Sequence, residues 1–481
     1  MDRTEKERAS SPGSLLLSAL IPALGFCLGW GIRGVFGHKR GPMVPGALAG
    51  LTLALSPGSK LRKRAGWMMA AGAAGFAFGG EETYGQTIGL TQGPHRKQTY
   101  WWGLLGLAVK GAPWIGLGAL YIGMAAGRRK YTLKEITALS AGLLGMGALG
   151  TQILNRPHCP PDKLPRIYFS NFVTPADPND PPRIECWGGL WFGFLFLWSY
   201  VALVKRDPFA SRMGAWGLLG GAAGFPAGQA MQAWRRGREP FSPSFERWMD
   251  WWKVMEMSFG FIAGLALGLG EYFSRRFEPD EPESEPAALS PSAQAALALA
   301  CLVPVAAVDF DLIPDPHPDH LPRFPAHLPF YVWLLPGLLA FSTERLAWLS
   351  GIGLPFMLHV QNVFCDYWTR ERKFFSANWT IPAAAAASAA AFVLGDQWGR
   401  KEEQAPGSVA PDALAFTAWA YSLISAAKEM VVPRLVGPDA KGPVIQRFAN
   451  PSTGVHAAFF TISAALSAWA ATRSVDGQES G

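Results

Sequence analysis

Long apolar segments recur along the whole chain and are separated by short polar or basic stretches. A helix needs about 20 mostly apolar residues to cross the hydrocarbon of a bilayer. About fourteen segments approach that length, namely 14–36, 42–58, 65–81, 101–126, 134–154, 187–204, 213–233, 252–273, 294–309, 328–341, 346–365, 379–395, 411–431 and 453–472. The segments 42–58 and 328–341 are short enough to be re-entrant. Because none alternates with a period of two, the pattern predicts an all-α, polytopic transmembrane bundle.

The composition agrees with this class of protein. Charged residues make up 16% of the chain, against roughly 25% in soluble domains, which argues against an ordinary soluble enzyme and a disordered chain. The net charge of +7 comes from basic residues that lie mostly beside the apolar segments. Such placement indicates topology and contact with membrane lipids. No basic strip is interleaved with aromatic residues, so nucleic acid is not an expected partner.

The polar segments suggest how the chain is divided. Residues 1–13 are charged and are expected to form a cytoplasmic N-terminus before a retained first span. An acidic linker rich in Pro and Ser, 274–293, separates an N-terminal bundle of about eight spans, 14–273, from a C-terminal bundle of about six, 294–472. Residues 473–481 form a polar tail. The expected location is an inner membrane. Short basic clusters favour an orientation with the N-terminus inside, although lysines and arginines divide evenly between the two sides.

Four alternate segments are rich in glycine and end in polar residues. The stretches 72–79 and 221–228 share the pattern Gly-Ala-Ala-Gly-Phe. The polar ends are Arg33 and His38, Glu81 and Glu82, Gln152 and Asn155, and Gln229 and Gln232. Small residues at this spacing allow close helix packing, which is one explanation. The other is a repeated two-helix unit whose four ends meet around one polar cavity near the outer face.

Lys110 is the most deeply placed ionisable residue of the predicted spans. A charge in hydrocarbon is costly, so such a residue is a functional candidate by default. Glu81, Glu82 or Glu256 could pair with it, and either a structural ion pair or a contact with substrate would explain its position. Adjacent carboxylates such as Glu81 and Glu82 can also exchange protons or bind a cation.

Two basic clusters lie on the predicted outer side, against the usual charge distribution. Arg33 and His38 lie among glycines that let the backbone approach a ligand, and Arg235 begins the second cluster. Guanidinium groups suit phosphate and carboxylate, so these clusters suggest an anionic ligand. Anchoring in lipid headgroups, or an inverted topology, would explain them equally well.

A loop after 294–309 and two cysteines carry weaker signals. His317 and His320 stand among aspartates, a combination that suits zinc, but prolines interrupt the stretch and a polar loop is the alternative. Cys159 and Cys186 flank one polar loop and could form a disulfide.

Three functions fit these patterns. The first is a multi-pass permease for a small anionic solute, coupled to protons through Glu81, Glu82 or Glu256. The second is a membrane-embedded enzyme that acts on a lipid or lipid-linked phosphate at the outer face, which the clustering of polar residues on one side favours. A scaffold without catalysis is the third. The expected ligand-binding residues are Arg33, His38, Glu81, Glu82, Lys110, Gln152, Gln229, Arg235 and Glu256.

Overall fold

The protein is described by a computed structural model, which covers residues 12–38, 40–81, 84–93, 95–156, 164–170, 185–236, 238, 242–279, 289–310, 312–313 and 332–476. The side chains of 81 and 84–86 are not part of this description. The described residues form helices and contain no strand. The first nine helices are α1 (Pro12–Phe36), α2 (Met43–Ala54), α3 (Ala65–Phe78), α4 (Tyr84–Gln92), α5 (Arg96–Ala126), α6 (Leu133–Leu154), α7 (Trp187–Ser199), α8 (Pro208–Arg236) and α9 (Trp251–Ser274).

Six further helices follow, two of which consist of several consecutive helical segments. They are α10 (Pro291–Asp309), α11 (Leu335–Ala340), α12 (Glu344–Trp348, Leu349–Gly353, Leu354–Gln361 and Asn362–Glu371), α13 (Ala377–Gln404), α14 (Ala410–Ala426, Ala427–Val431 and Val432–Leu435) and α15 (Pro451–Asp476). Single helical turns occur at Leu61–Arg64, Gly79–Glu81, Pro243–Glu246, Arg275–Phe277, Val332–Leu334 and Val444–Phe448.

The all-helical membrane class is confirmed in its coarse form. Among the described residues, 8 helices are long and apolar enough to cross a membrane: α1, α5, α6, α7 with its continuation to Val204, α9, α10, α13 and α15. About fourteen spans are not confirmed. The division into two bundles stays a prediction, because the middle of the linker, 280–288, lies outside the described residues.

Helices α2 and α3 show why apolar segments outnumber the helices that can span. They contain 12 and 14 residues, which at 1.5 Å per residue gives about 18 and 21 Å, less than the hydrocarbon thickness. Every residue of α2 is buried. A Cβ atom at Gly46 would lie 2.2 Å from the carbonyl oxygen of Gly72, so the two backbones touch. The segments 42–58 and 65–81 therefore form a helical pair inside the protein.

Both halves of the chain contribute to one hydrophobic core. Helix α5 packs against α8, α8 against α9, and α9 against α1. From the C-terminal half, α12 packs against α3, and α14 packs against α1 and α2. Helix α6 packs chiefly against α7. The glycine-rich stretches serve these contacts, since a Cβ at Gly221 would lie 2.1 Å from the carbonyl oxygen of Gly111. A repeated two-helix unit is not confirmed.

Several long helices contain π-helical segments. They lie at Tyr200–Val204, Leu349–Gly353, Asn362–Glu371 and Ala427–Val431. A π-helical turn accommodates an extra residue, is rare, and often occurs at functional sites. The segments Asn362–Glu371 and Ala427–Val431 carry polar side chains of the site described next.

Candidate functional site

A buried group of three charged residues joins the end of α1 to the start of α9. Nη1 of Arg33 lies 3.2 Å from Oε1 of Glu256, and Nζ of Lys253 lies 3.0 Å from Oε2 of the same carboxylate. The exposed fractions of the three residues are 1%, 2% and 6% in the order Arg33, Glu256, Lys253. The predicted residues Arg33 and Glu256 are therefore brought together, with Lys253 as a third member that the prediction missed.

Aromatic rings and the start of α9 fix this group. The guanidinium carbon of Arg33 lies 5.4 Å from the ring centre of Trp30 and 5.6 Å from that of Trp114. At the start of α9, the Asp250 carboxylate accepts hydrogen bonds from the backbone N–H groups of residues 252 and 253. Lys253 and Glu256 then lie three residues apart on one helical face.

The C-terminal half contributes a third buried cation near this group. Nζ of Lys428 donates to the backbone carbonyl of Val35, at 2.8 Å, and to Oδ1 of Asn362, at 2.9 Å. The same ammonium lies 4.9 Å from the ring centre of Phe36 and 5.0 Å from that of Tyr367. Within the described ranges, Lys428 forms no salt bridge. It stabilises the C-terminal end of α1. Its direct contacts are dipoles and aromatic faces, while the carboxylates of Glu429 and Glu371 act on its charge from a greater distance.

A further ionic contact ties the loop after α1 to the C-terminal half. Nη1 of Arg40 lies 3.0 Å from Oδ2 of Asp309 and 3.2 Å from Oε1 of Gln361. Gln361 in turn donates to Asp366, at 2.9 Å. This chain of polar contacts lies at the same end of the bundle as Lys428, because Gln361 adjoins Asn362.

A cavity of about 340 Å³ lies against these residues. It is lined by Asp250, Lys253, Tyr367, Arg372, Phe374, Glu429, Pro433, Arg434, Pro438, Asp439 and Ser452. Both halves of the chain line it, and its walls carry acidic and basic groups. Two lining residues connect the cavity to the buried cations. Lys253 shares the Glu256 carboxylate with Arg33, and the ring of Tyr367 faces Lys428. A cavity of this size suits a small charged molecule.

Lys110 is held in a separate polar group. Its Nζ lies 2.6 Å from Oε1 of Glu185 and donates to Oγ1 of Thr87, at 2.9 Å. The Glu185 carboxylate also accepts hydrogen bonds from the N–H of Phe169 and the hydroxyl of Ser170. Glu185 was not among the predicted partners of Lys110, and the predicted partner Glu256 is bonded to Arg33 and Lys253 instead. This arrangement favours a structural ion pair over a contact with substrate.

Helix α4 connects Lys110 to another predicted residue. Thr87 bonds Lys110, and Thr91, one turn later on the same face, accepts a hydrogen bond of 2.7 Å from Nε2 of Gln229. Gln229 is fully buried. Lys110 and Gln229 therefore contact the same face of α4, which begins two residues after Glu82.

The remaining predicted residues do not join the cavity. Gln152 is exposed on α6, and His38 is exposed after α1. Arg235 lies 2.6 Å from Oε1 of Glu246, with its guanidinium carbon 5.9 Å from the ring centre of Trp251. The prediction that four equivalent helix ends surround one cavity is not confirmed, since Gln152 is exposed on α6, which packs chiefly against α7.

Some predictions fall outside the described residues. These are the positions of Glu82, His317 and His320, the side chain of Glu81, and the disulfide between Cys159 and Cys186, of which Cys159 is not described. In the part of the chain that is described, no group of three or more His, Cys, Asp or Glu side chains could hold a metal ion.

Comparison with known proteins gives no further indication of function. The chain matches no protein-family model, no curated protein and no solved structure.

Proposed function

We propose that the protein is a multi-pass permease of an inner membrane that binds a small anionic solute in the cavity between its two halves. The observation that carries this proposal is Lys428, a buried ammonium without a salt bridge in the described structure, beside a cavity lined by both halves. A buried charge is costly unless it is paired. An anion that enters past Tyr367 would supply the direct ionic partner that Lys428 lacks among the described residues.

Glu256 gives a means of coupling binding to protons. It holds Lys253, a cavity residue, through an ion pair of 3.0 Å. Protonation of Glu256 would remove the charge that holds Lys253, so that the ammonium could turn to a solute in the cavity. The solute and the proton would then bind together. The sequence suggested this coupling role for Glu81, Glu82 or Glu256.

Rearrangement between the halves would complete a transport cycle. Lys428 and Tyr367 lie on π-helical segments, which often mark functional sites. Lys428 also bonds Val35 of the N-terminal half across the interface. Neutralisation of Lys428 by a bound anion would weaken this bond and allow the halves to move apart.

Uptake into proteoliposomes tests this proposal. The probes are labelled inorganic phosphate and succinate, with glucose as the neutral probe, under a pH gradient. We expect uptake of at least one anion, reduced about tenfold or more by Lys428→Met. The control is Lys401→Met, because Lys401 is exposed on α13. Uptake of neither anion, or equal loss in both variants, would contradict the proposal.

The geometry gives less support to an enzyme that acts on a lipid-linked phosphate. That function required Arg33, His38 and Arg235 to bind one phosphate. Arg33 and Arg235 are instead bonded to two different carboxylates, Glu256 and Glu246.

A further inference from the structure

A second charged group lies at the other end of α9. Glu271 is 15 positions after Glu256, about 22 Å along the helix. Nε and Nη2 of Arg275 lie 2.8 and 2.9 Å from the two oxygens of Glu271. Nη2 also donates to Oγ of Ser18 on α1, at 2.6 Å. The buried charges thus gather at both ends of α9, and not on one side as the sequence suggested.

Glu278 adds a second buried carboxyl group to this end. The exposed fractions of Glu271 and Glu278 are 0% and 2%, and their carboxyl groups are in hydrogen-bonding contact. Glu278 accepts a hydrogen bond of 2.9 Å from the backbone N–H of Lys60, and one of 3.4 Å from Oγ of Ser59. It therefore joins the end of α9 to the turn between α2 and α3.

The charges around the two carboxyl groups do not balance. Arg275 forms its salt bridge with Glu271, and no described cation forms a salt bridge with the Glu278 side chain. Two further arginines approach from other elements, but Nε of Arg128 donates to the backbone carbonyl of Glu278 and Nε of Arg212 to Oγ of Ser274. Two buried carboxyl groups in contact, with one guanidinium bonded to Glu271, cannot both stay ionised.

We propose that Glu271 and Glu278 together bind one proton, and that this proton holds the end of α9 to the turn between α2 and α3. With the proton bound, one carboxyl group donates a hydrogen bond to the other. When the proton leaves, two negative charges face each other and Glu278 is repelled from Glu271. Burial and the charge of Glu271 raise the pKa of Glu278 to about 8, in keeping with this geometry.

The position of this site gives it a role in transport, a step that rests on the proposed function. Helix α9 carries Lys253 and Glu256 at one end and the proton site at the other. Release of the proton would loosen the second end of the same helix from α2 and α3. The movement of α9 between two states would then respond to pH on the side opposite the cavity.

Infrared spectroscopy of the purified full-length protein tests the proton site without any solute. The carbonyl band of a protonated carboxylic acid is measured in heavy water as a function of pH. We expect the wild-type band to lose the contribution of Glu278 as the pH rises through about 8, a range in which Glu344 also loses its proton. Glu278→Gln, a neutral substitution of the same shape, should lack that contribution at every pH. Asp412→Asn is the control, because Asp412 is exposed.

A second variant tests whether the proton is shared. Glu271→Gln removes the neighbouring negative charge, so the remaining carboxyl group should lose its proton at lower pH than in the wild type. A pH-dependent band that is identical in wild type and Glu278→Gln would overturn the proposal, as would an unchanged midpoint in Glu271→Gln. Because no solute is used, failure of anion uptake would remove the permease proposal and leave this measurement unaffected.

Discussion

Lys110 and Glu185 form a salt bridge of 2.6 Å in which neither side chain is exposed. The two residues are 75 positions apart in the chain. The bond therefore ties the middle of α5 to the segment that leads into α7. Because both side chains are fully buried, the pair is a structural contact of the protein interior.

Removal of one partner of this pair should destabilise the fold strongly. Glu185→Ala leaves the Lys110 ammonium buried without its partner, and we expect a loss of about 3–5 kcal/mol in the free energy of unfolding. The double variant Lys110→Met with Glu185→Leu should recover most of that loss, because no buried charge is left alone. Denaturant unfolding in detergent measures both. A double variant as unstable as Glu185→Ala would show that Lys110 does more than balance Glu185.

A side chain at Gly34 should displace the charged groups of Glu256 and Lys253, because they pack directly over this glycine. A Cβ at this position would lie 1.8 Å from Oε2 of Glu256 and 2.3 Å from Nζ of Lys253. We expect Gly34→Ala to destabilise the protein by about 1–3 kcal/mol and to lower anion uptake. Gly145 on α6 has no atom within 4 Å of an added Cβ. Gly145→Ala should therefore stabilise its helix by about 0.5–1 kcal/mol, and the reverse order of the two variants in thermal unfolding would argue against the described packing.

Glu256→Gln should separate solute uptake from the pH gradient. The amide cannot accept a proton or hold the Lys253 ammonium by charge, so Lys253 would be available to the solute at every pH. We expect uptake of the transported anion to persist and to lose most of its dependence on external pH. Glu246→Gln is a matched control, because it removes the salt bridge to Arg235 that lies outside the cavity. Retained pH dependence in Glu256→Gln would transfer the coupling role to another group.

Glu344 should make the fold less stable as the pH rises. Burial, with the negative charges of Glu402 and Glu403, raises the pKa of Glu344 from 4.5 to about 8. A group whose pKa is raised by folding contributes stability that is complete below its unfolded pKa and is lost as the pH rises through the folded value. Between about 4.5 and 8, the wild type should therefore lose stability relative to Glu344→Gln. Thermal unfolding across this range checks the difference, and parallel curves would contradict it.

The membrane class could be predicted because it follows from composition and from the length of apolar segments. The number of spans could not, because burial inside a protein and burial in lipid demand the same apolar residues. Helices α2 and α3 are apolar because they are buried inside the protein. Their lengths of 12 and 14 residues were visible only in the structure.

The charged group of the site was predicted in part. Arg33 and Glu256 stood out because each is ionisable within an apolar segment. Lys253 could also have been predicted, because it stands three residues before Glu256 on a predicted helix and therefore shares its face. Glu185 gave little local signal, because it lies in a polar loop and only tertiary packing brings it to Lys110. The same holds for Glu278, which lies in a segment that reads as a linker.

The enclosure of α2 and α3 has a consequence for biosynthesis. These helices lie near the N-terminus, yet α12 and α14, which cover them, begin at residues 344 and 410. The nascent chain must therefore keep two short apolar helices from aggregating until most of the protein has been translated. Shielding by the translocon or a membrane chaperone during that interval would meet this requirement, and truncation before α14 should yield a product that is rapidly degraded.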